Sequence, residues 1–175
     1  ATVSRAPGSA SITDNFESNS YAGGSGWSGS WSETSGASNI AVNTDSSFAQ
    51  DSYSLRFGGS GTSTGTAALQ RSFASALTAD GTISFDYRNT LFVEYTTNGS
   101  SWTEIGRIEG TGSDTSTSVT AGTSDSVFST YTNAGGSVSV TGNNVVPENA
   151  TGIRFRYGAS YPSADMIYVD NISIT

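Results

Sequence analysis

Two runs set the architecture of this chain: the last apolar stretch, Met166-Ile-Tyr-Val-Asp-Asn-Ile-Ser-Ile-Thr175, and the opening stretch, Ser11-Ile-Thr-Asp-Asn-Phe-Glu-Ser18. Each has the apolar pattern of a β-strand and carries at least one carboxylate within it. Burying a carboxylate costs free energy unless a cation or an arginine lies beside it. We therefore expect residues 12–17 and 167–174 to form adjacent antiparallel strands, with a metal ion between the two ends of the chain.

The expected ion is calcium, because the chain contains no Cys and no His. Soft and borderline metals need those ligands, whereas calcium binds oxygen. The same absences exclude a Ser-His-Asp triad and a cysteine nucleophile. A carboxylate pair such as Asp86 and Glu94 would suit glycoside hydrolysis. Both stand beside arginines in strand-like runs, which favours cross-strand ion pairing, and we expect no enzyme activity.

Composition limits the partners. The 175 residues are enough for one core and one domain. The net charge is −8, and all seven basic residues are arginines, so nucleic acid is not an expected partner. No apolar stretch reaches the length that spans a bilayer, so membrane insertion is not expected. A polar, cysteine-free chain favours a secreted or surface-attached bacterial protein. Residues 1–11 are interpreted as a linker or expression remnant, and residues 12–175 as one module of a longer chain.

Apolar residues alternate with polar residues at a period of two, which predicts half-buried antiparallel strands. The alternating sets are Tyr53, Leu55 and Phe57; Ile83, Phe85 and Tyr87; Leu91, Val93 and Tyr95; and Ile153, Phe155 and Tyr157. The Asn98-Gly99 pair predicts a hairpin turn, and the Gly/Ser/Thr/Asp-rich residues 110–125 predict a long loop. Short strands without helical periodicity predict an all-β fold, a two-sheet antiparallel β-sandwich of jelly-roll type.

Three short motifs resemble the structural calcium site of jelly-roll carbohydrate-binding modules. They are the run Asn15-Phe-Glu17, the acidic Asp51 before Ser54-Leu-Arg-Phe57, and Asp170 in the run Tyr168-Val-Asp-Asn-Ile172. The resemblance implies calcium ligands from the side chains of Glu17, Asp51 and Asp170 and from the backbone carbonyls of Asn15 and Ser54. The same pattern, with Gly26-Trp27 and Trp31, is similar to that of MAM domains, which are extracellular adhesion modules. In both families the ion is structural.

Arginine supplies the candidate ligand-binding surface. If the strands around Asp86 and Phe155 were neighbours, one sheet face would gather Arg56, Asp86, Arg88, Arg154 and Arg156. Guanidinium forks suit uronate, sulfate or hydroxyl-rich sugars, whereas the alternative is an Arg–Asp ladder that only holds strands in register. Exposed aromatic rings are the expected stacking platforms, and the candidates are Trp27, Trp31, Trp102, Tyr21 and Tyr161. Partly buried packing is the alternative role of Trp27 and Trp31.

These patterns predict a non-catalytic, calcium-stabilised carbohydrate-binding accessory module. Its expected partners are a polysaccharide or glycan and, in addition, other domains of the same chain. The alternatives are a MAM-like adhesion or protein-interaction module, and a structural spacer beside a secreted hydrolase. The exposure of the aromatic side chains separates these alternatives, since a spacer has no need of an exposed platform.

Overall fold

The chain folds entirely as β-structure wherever the computed structural model describes it, which is over residues 11–34, 41–43, 52–58, 68–88, 91–110, 138–157 and 166–175. The strands are β1 (Ile12–Asp14), β2 (Trp27–Glu33), β3 (Ala41–Asn43), β4 (Ser54–Gly58), β5 (Ala68–Phe73), β6 (Gly81–Arg88), β7 (Leu91–Thr96), β8 (Thr103–Gly110), β9 (Val138–Gly142), β10 (Val145–Val146), β11 (Gly152–Tyr157) and β12 (Met166–Ile174). Residues 110–125, expected as a loop, lie outside these ranges except for Gly110, which ends β8.

The strands form two six-stranded sheets, and every pairing is antiparallel. Sheet I has the order β10-β6-β12-β4-β3, with β1 also paired to β12, and sheet II has the order β2-β5-β11-β7-β8-β9. Strands β4 to β7 alternate between the two sheets, as do β9 to β12. The predicted β-sandwich of jelly-roll type is therefore confirmed.

The core lies between the sheets and is built from the alternating apolar positions. Ile83 and Phe85 from sheet I are buried against Ile153 and Phe155 from sheet II. The rings of Phe85 and Phe155 meet edge to face across the sandwich, with centroids 5.1 Å apart. Because period-two alternation sends every second side chain into this space, the residues between them form the two outer faces.

The two ends of the chain meet, as the opening and closing runs predict. Strand β1 pairs antiparallel with the end of β12, with Ile12 opposite Ile174 and Asp14 opposite Ile172. The first strand is shorter than expected, because it ends at Asp14. Phe16 then adopts a positive φ of 58° while its ring is fully buried. Residues 15–17 therefore do not continue the strand that was expected over residues 12–17.

The predicted hairpin is formed by β7 and β8, with Tyr95 opposite Thr103. Of the pair at its turn, only Gly99 has a positive φ, of 77°, so the connection is longer than a two-residue turn. The Asn98 side chain organises it by accepting hydrogen bonds from the backbone N–H groups of Ser100 and Ser101. No helix in the described part of the chain is long and apolar enough to cross a membrane.

Candidate functional site

The expected arginine face does not form, because its strands belong to different sheets. Strand β6, which carries Asp86 and Arg88, pairs with β12 and β10 in sheet I. Strand β11, which carries Arg154 and Arg156, pairs with β5 and β7 in sheet II. Arg56 lies on β4 in sheet I. The prediction that these five residues share one face was therefore wrong, and Asp86 and Glu94 likewise lie in different sheets and do not form a carboxylate pair.

The outer face of sheet I carries a polar cluster that is largely buried. Tyr168 on β12 pairs through its backbone with Arg56 on one side and Arg88 on the other. Asp170 lies directly opposite Asp86 in the next outward-facing row. Both carboxylates are buried, as is the Tyr168 ring. Because these groups are withdrawn from solvent, this face offers less to a ligand than its residue types suggest.

The outer face of sheet II carries the more accessible charged surface. There Glu94 accepts hydrogen bonds from Nε of Arg154 and, at 3.0 Å, from Nε of Arg156. Cross-strand ion pairing, the alternative reading of Glu94, is thus confirmed. On the neighbouring strand Arg107 donates two hydrogen bonds to Glu104, at 2.7 and 2.8 Å. Three guanidinium groups therefore lie on one sheet face, each fixed by a carboxylate.

Two aromatic rings lie among these guanidinium groups. The guanidinium carbon of Arg154 lies 4.7 Å from the centroid of the Trp102 ring. Those of Arg156 and Arg107 lie 4.2 and 4.5 Å from the centroid of the Phe92 ring. Cations at these distances are attracted to the ring faces. We name this surface the guanidinium–aromatic patch, and its residues are Phe92, Glu94, Trp102, Glu104, Arg107, Arg154 and Arg156.

Trp31 does not provide an exposed platform, and Trp27 is half-buried but packs against the core, so the expectation for these two rings is corrected. Trp31 is 5% exposed and lies in the core, with its ring 5.9 Å from that of Phe155. Trp27 packs against the core, and its indole N–H donates to the carbonyl of Thr13 at 2.9 Å. The packing alternative was therefore correct for both indole rings, because large aromatic side chains gain free energy on burial. Tyr161 lies outside the described residues.

The opening run places one of its carboxylates in the interior. Asp14 is 1% exposed, and its Oδ2 accepts hydrogen bonds from Arg71 Nη1 at 2.8 Å and Trp31 Nε1 at 3.0 Å. Burial lowers the pKa of the Arg71 guanidinium below its ordinary value, and the charge of Asp14 and its hydrogen bond oppose this shift. An arginine thus lies beside this carboxylate, which was one of the two solutions that the sequence left open.

Sheet I has a gap along β12, between its pairing with β4 and its pairing with β1. Strand β6 occupies one edge of β12, so β1 and β4 must share the other edge. Strand β4 pairs up to Val169, and β1 begins its pairing at Ile172. Asp170 and Asn171 lie between them, at a break in register where Asn171 has a positive φ of 47°. A cleft of about 340 Å³ opens beside this gap, lined by Thr13, Asp14, Asn15, Gly24, Asn171, Ile172 and Ser173.

Two of the predicted ligand residues, Glu17 and Ser54, lie near the start of β4. The Oε1 atom of Glu17 accepts hydrogen bonds from the backbone N–H groups of Ser52 and Tyr53, both at 2.9 Å. These bonds hold the loop that follows β1 against the start of β4. Ser54 Oγ is buried and, within the described part of the chain, has no hydrogen-bond partner. Asp51 lies outside the described residues, and within them no group of three or more carboxylates is close enough to hold a metal.

Sequence reasoning missed several residues of these sites. Asp14, Arg71, Phe92 and Arg107 were not candidates. The predicted two-residue turn would place Phe92 opposite Ile105, whereas the longer connection and the register shift after Val93 place it opposite Arg107, so the sequence carried no signal for this pair. No local signal existed for Asp14 and Arg71 either, which are 57 residues apart and lie on different sheets.

Comparisons with known proteins identify the fold. No family model matches the sequence, and no curated protein matches it. The K2 cleaved adhesin domain of Lys-gingipain has a TM-score of 0.53 at 14% identity, covering 95% of this chain and 99% of that domain. The CBM22-1 xylan-binding domain from Paenibacillus barcinonensis Xyn10C has a TM-score of 0.45 at 11% identity, covering 97% and 96%. The chain therefore shares a β-sandwich fold with the adhesin domain, and fold alone does not establish function.

Proposed function

We propose that this chain is a non-catalytic carbohydrate-binding module of a secreted or cell-surface protein, and that it binds polysaccharide through the guanidinium–aromatic patch. The observation that carries the proposal is the position of Arg154. Its Nε is held by Glu94 and its guanidinium lies against Trp102. A fork held in this way is ready to bind before the ligand arrives, which reduces the entropy that binding costs.

The chemistry of the patch suits sugars. Guanidinium groups donate several hydrogen bonds in a fixed plane, and sugar hydroxyl or carboxylate oxygens accept them. Trp102 and Phe92 are half-buried, which leaves part of each ring accessible. Partly exposed aromatic rings offer apolar surface to the C–H faces of a pyranose, and a few polar groups beside an apolar surface are typical of small-molecule sites.

Calcium stabilisation is part of the proposal. Three observations support an oxygen-lined ion site between the ends of the chain: the gap beside Asp170, the approach of Glu17 to the start of β4, and the buried Ser54 Oγ, which has no partner among the described residues. An ion there would join β1, β4 and β12, because calcium takes six to eight oxygen ligands from whichever segments reach it. The ion would stabilise the fold and would take no part in glycan recognition.

Affinity electrophoresis against a panel of neutral and acidic polysaccharides tests the proposed function. At least one polymer should retard the protein. Trp102→Ala and Arg154→Ala should each weaken the free energy of binding to that polymer by about 1–3 kcal/mol, the usual cost of losing a charge-assisted hydrogen bond or an aromatic contact. Tyr21→Ala is the comparison variant, because Tyr21 is an exposed aromatic candidate that lies outside the patch. Equal loss in all three variants, or no retardation by any polymer, would contradict the proposal.

A further inference from the structure

The charge of the guanidinium–aromatic patch is opposite to that of the rest of the chain. Three arginines and two glutamates give the patch a net charge of +1. The whole chain carries −8, so the remainder carries −9. Three of the seven arginines thus lie on one sheet face of a strongly acidic domain. A neutral glycan would not require such an arrangement.

Arg154 is the member of the patch whose donors are least committed. Its Nε is bonded to Glu94, its guanidinium lies over Trp102, and its side chain is 18% exposed. Among the described residues, its two terminal nitrogens, Nη1 and Nη2, have no hydrogen-bond partner. Neither nitrogen is buried, so both are accessible to solvent. Two parallel N–H donors in one plane match the two oxygens of a carboxylate.

We infer that the ligand is an anionic glycan, and that Arg154 binds a hexuronate carboxylate through its terminal nitrogens. This inference rests on the proposed function and narrows it to a substrate class. Arg156 and Arg107 lie nearby on the same face and add positive charge around the carboxylate. Glu94 faces the Nε side of Arg154, so it fixes the fork without occupying the donors that the ligand uses.

The acidic remainder of the chain does not prevent this binding under ordinary salt conditions. At about 0.15 M ionic strength, exposed charges separated by more than about 8 Å are largely screened from each other. A bound carboxylate therefore responds chiefly to the charges of the patch. Salt weakens the direct hydrogen bonds between Arg154 and a bound carboxylate far less than it weakens the repulsion from distant acidic residues.

The test compares uronate polymers with their carboxyl-reduced forms, which keep the linkage but lose the charge. Galacturonate, glucuronate and mannuronate oligomers, a sulfated galactan and neutral xylan and galactan are titrated into the whole chain at 0.15 M salt by calorimetry. At least one uronate should bind about ten-fold or more tighter than its reduced form, equivalent to one charge-assisted bidentate contact. Arg154→Lys keeps the charge but loses the fork, and it should remove most of that preference.

The outcomes separate this inference from the proposed function. If neutral glycans bind as tightly as uronates, and Trp102→Ala weakens them, the module binds carbohydrate but the anionic preference is wrong. If the sulfated galactan binds best, the anion is not a carboxylate and the assignment to hexuronates is wrong. If no glycan binds at all, both the inference and the proposed function are wrong. An unchanged uronate preference in Arg154→Lys would remove Arg154 from the assigned role.

Discussion

Arg71 and Asp14 form a buried salt bridge between the two sheets, with 2.8 Å from Nη1 to Oδ2. Asp14 ends β1 in sheet I, whereas Arg71 lies on β5 in sheet II. The Arg71 guanidinium also donates to the carbonyls of Gly29 and Gly23 and lies 5.0 Å from the centroid of the Trp27 ring. Arg71 thus supplies the counter-charge of the buried carboxylate and holds the loop between β1 and β2.

Removing one partner of this pair should be costly. We expect Asp14→Asn to lower the free energy of unfolding by about 3–5 kcal/mol, because it leaves a buried guanidinium without its counter-charge. Chemical denaturation followed by tryptophan fluorescence measures the change. The double variant Asp14→Asn/Arg71→Met should lose less than the sum of the two single variants, since neither charge is then left alone. Additive losses would show that the two side chains act independently.

Calcium should stabilise the fold through Asp170. Saturation at about a hundred times Kd is worth roughly 2.7 kcal/mol, so calcium should raise the melting temperature and a chelator should lower it. Asp170→Ala should abolish that response, because Asp170 lies in the gap between β1 and β4. Differential scanning calorimetry of protein shown by elemental analysis to contain metal is the measurement.

The control for the calcium prediction is Glu33→Gln, which removes an exposed carboxylate from β2 at the edge of sheet II. It should leave the calcium response intact. A melting temperature that does not change between excess calcium and excess chelator would show that the ion site is absent.

Gly24 should tolerate no side chain. A Cβ there would lie 2.1 Å from the carbonyl oxygen of Thr13, and the Gly24 backbone has a φ of 79°. Gly99 has nearly the same φ, 77°, but nothing lies within 4 Å of its Cβ position. Gly99→Ala should therefore cost about 1–2 kcal/mol for the left-handed conformation alone. Gly24→Ala should cost a further ~1–3 kcal/mol for the clash.

Thermal denaturation of the two glycine variants side by side measures this difference. The clash would separate β1 from Ser25, whose backbone exchanges hydrogen bonds with Thr13 at 2.8 and 3.0 Å. Equal destabilisation of the two variants would mean that the segment around Gly24 moves freely enough to relieve the contact.

Glu94 should act as a positioning residue in glycan binding. If it were only a negative charge, Glu94→Gln would strengthen the binding of an anionic glycan. Because it holds Nε of both Arg154 and Arg156, we expect Glu94→Gln to weaken binding instead, by about 0.5–3 kcal/mol. Calorimetric titration of the uronate ligand decides between the two signs.

Glu104→Gln removes the same charge from the same face but releases only Arg107. It should therefore change the affinity less than Glu94→Gln does, and tighter binding in both variants would contradict the positioning role.

Local patterns in the chain were enough to predict the fold class. Alternation at Ile83, Phe85, Ile153 and Phe155 specifies which side chains are buried, because a strand sends successive residues to opposite faces. The pairing of the first and last strands followed from carboxylates embedded in apolar runs. The packing alternative for Trp31 was also available from residue type, since large aromatic rings gain free energy on burial.

The sequence by itself determined the class of fold, the buried positions and the meeting of the two chain ends, because these depend on short-range periodicity and on the free energy of burying charge. Only the tertiary structure decided which strands are neighbours. It placed Arg56 and Asp86 on one sheet and Arg154 on the other, and it brought Arg71 to Asp14 across 57 residues. The physical reason is that strand order depends on long-range packing of whole sheets, and strands with the same alternation are locally interchangeable.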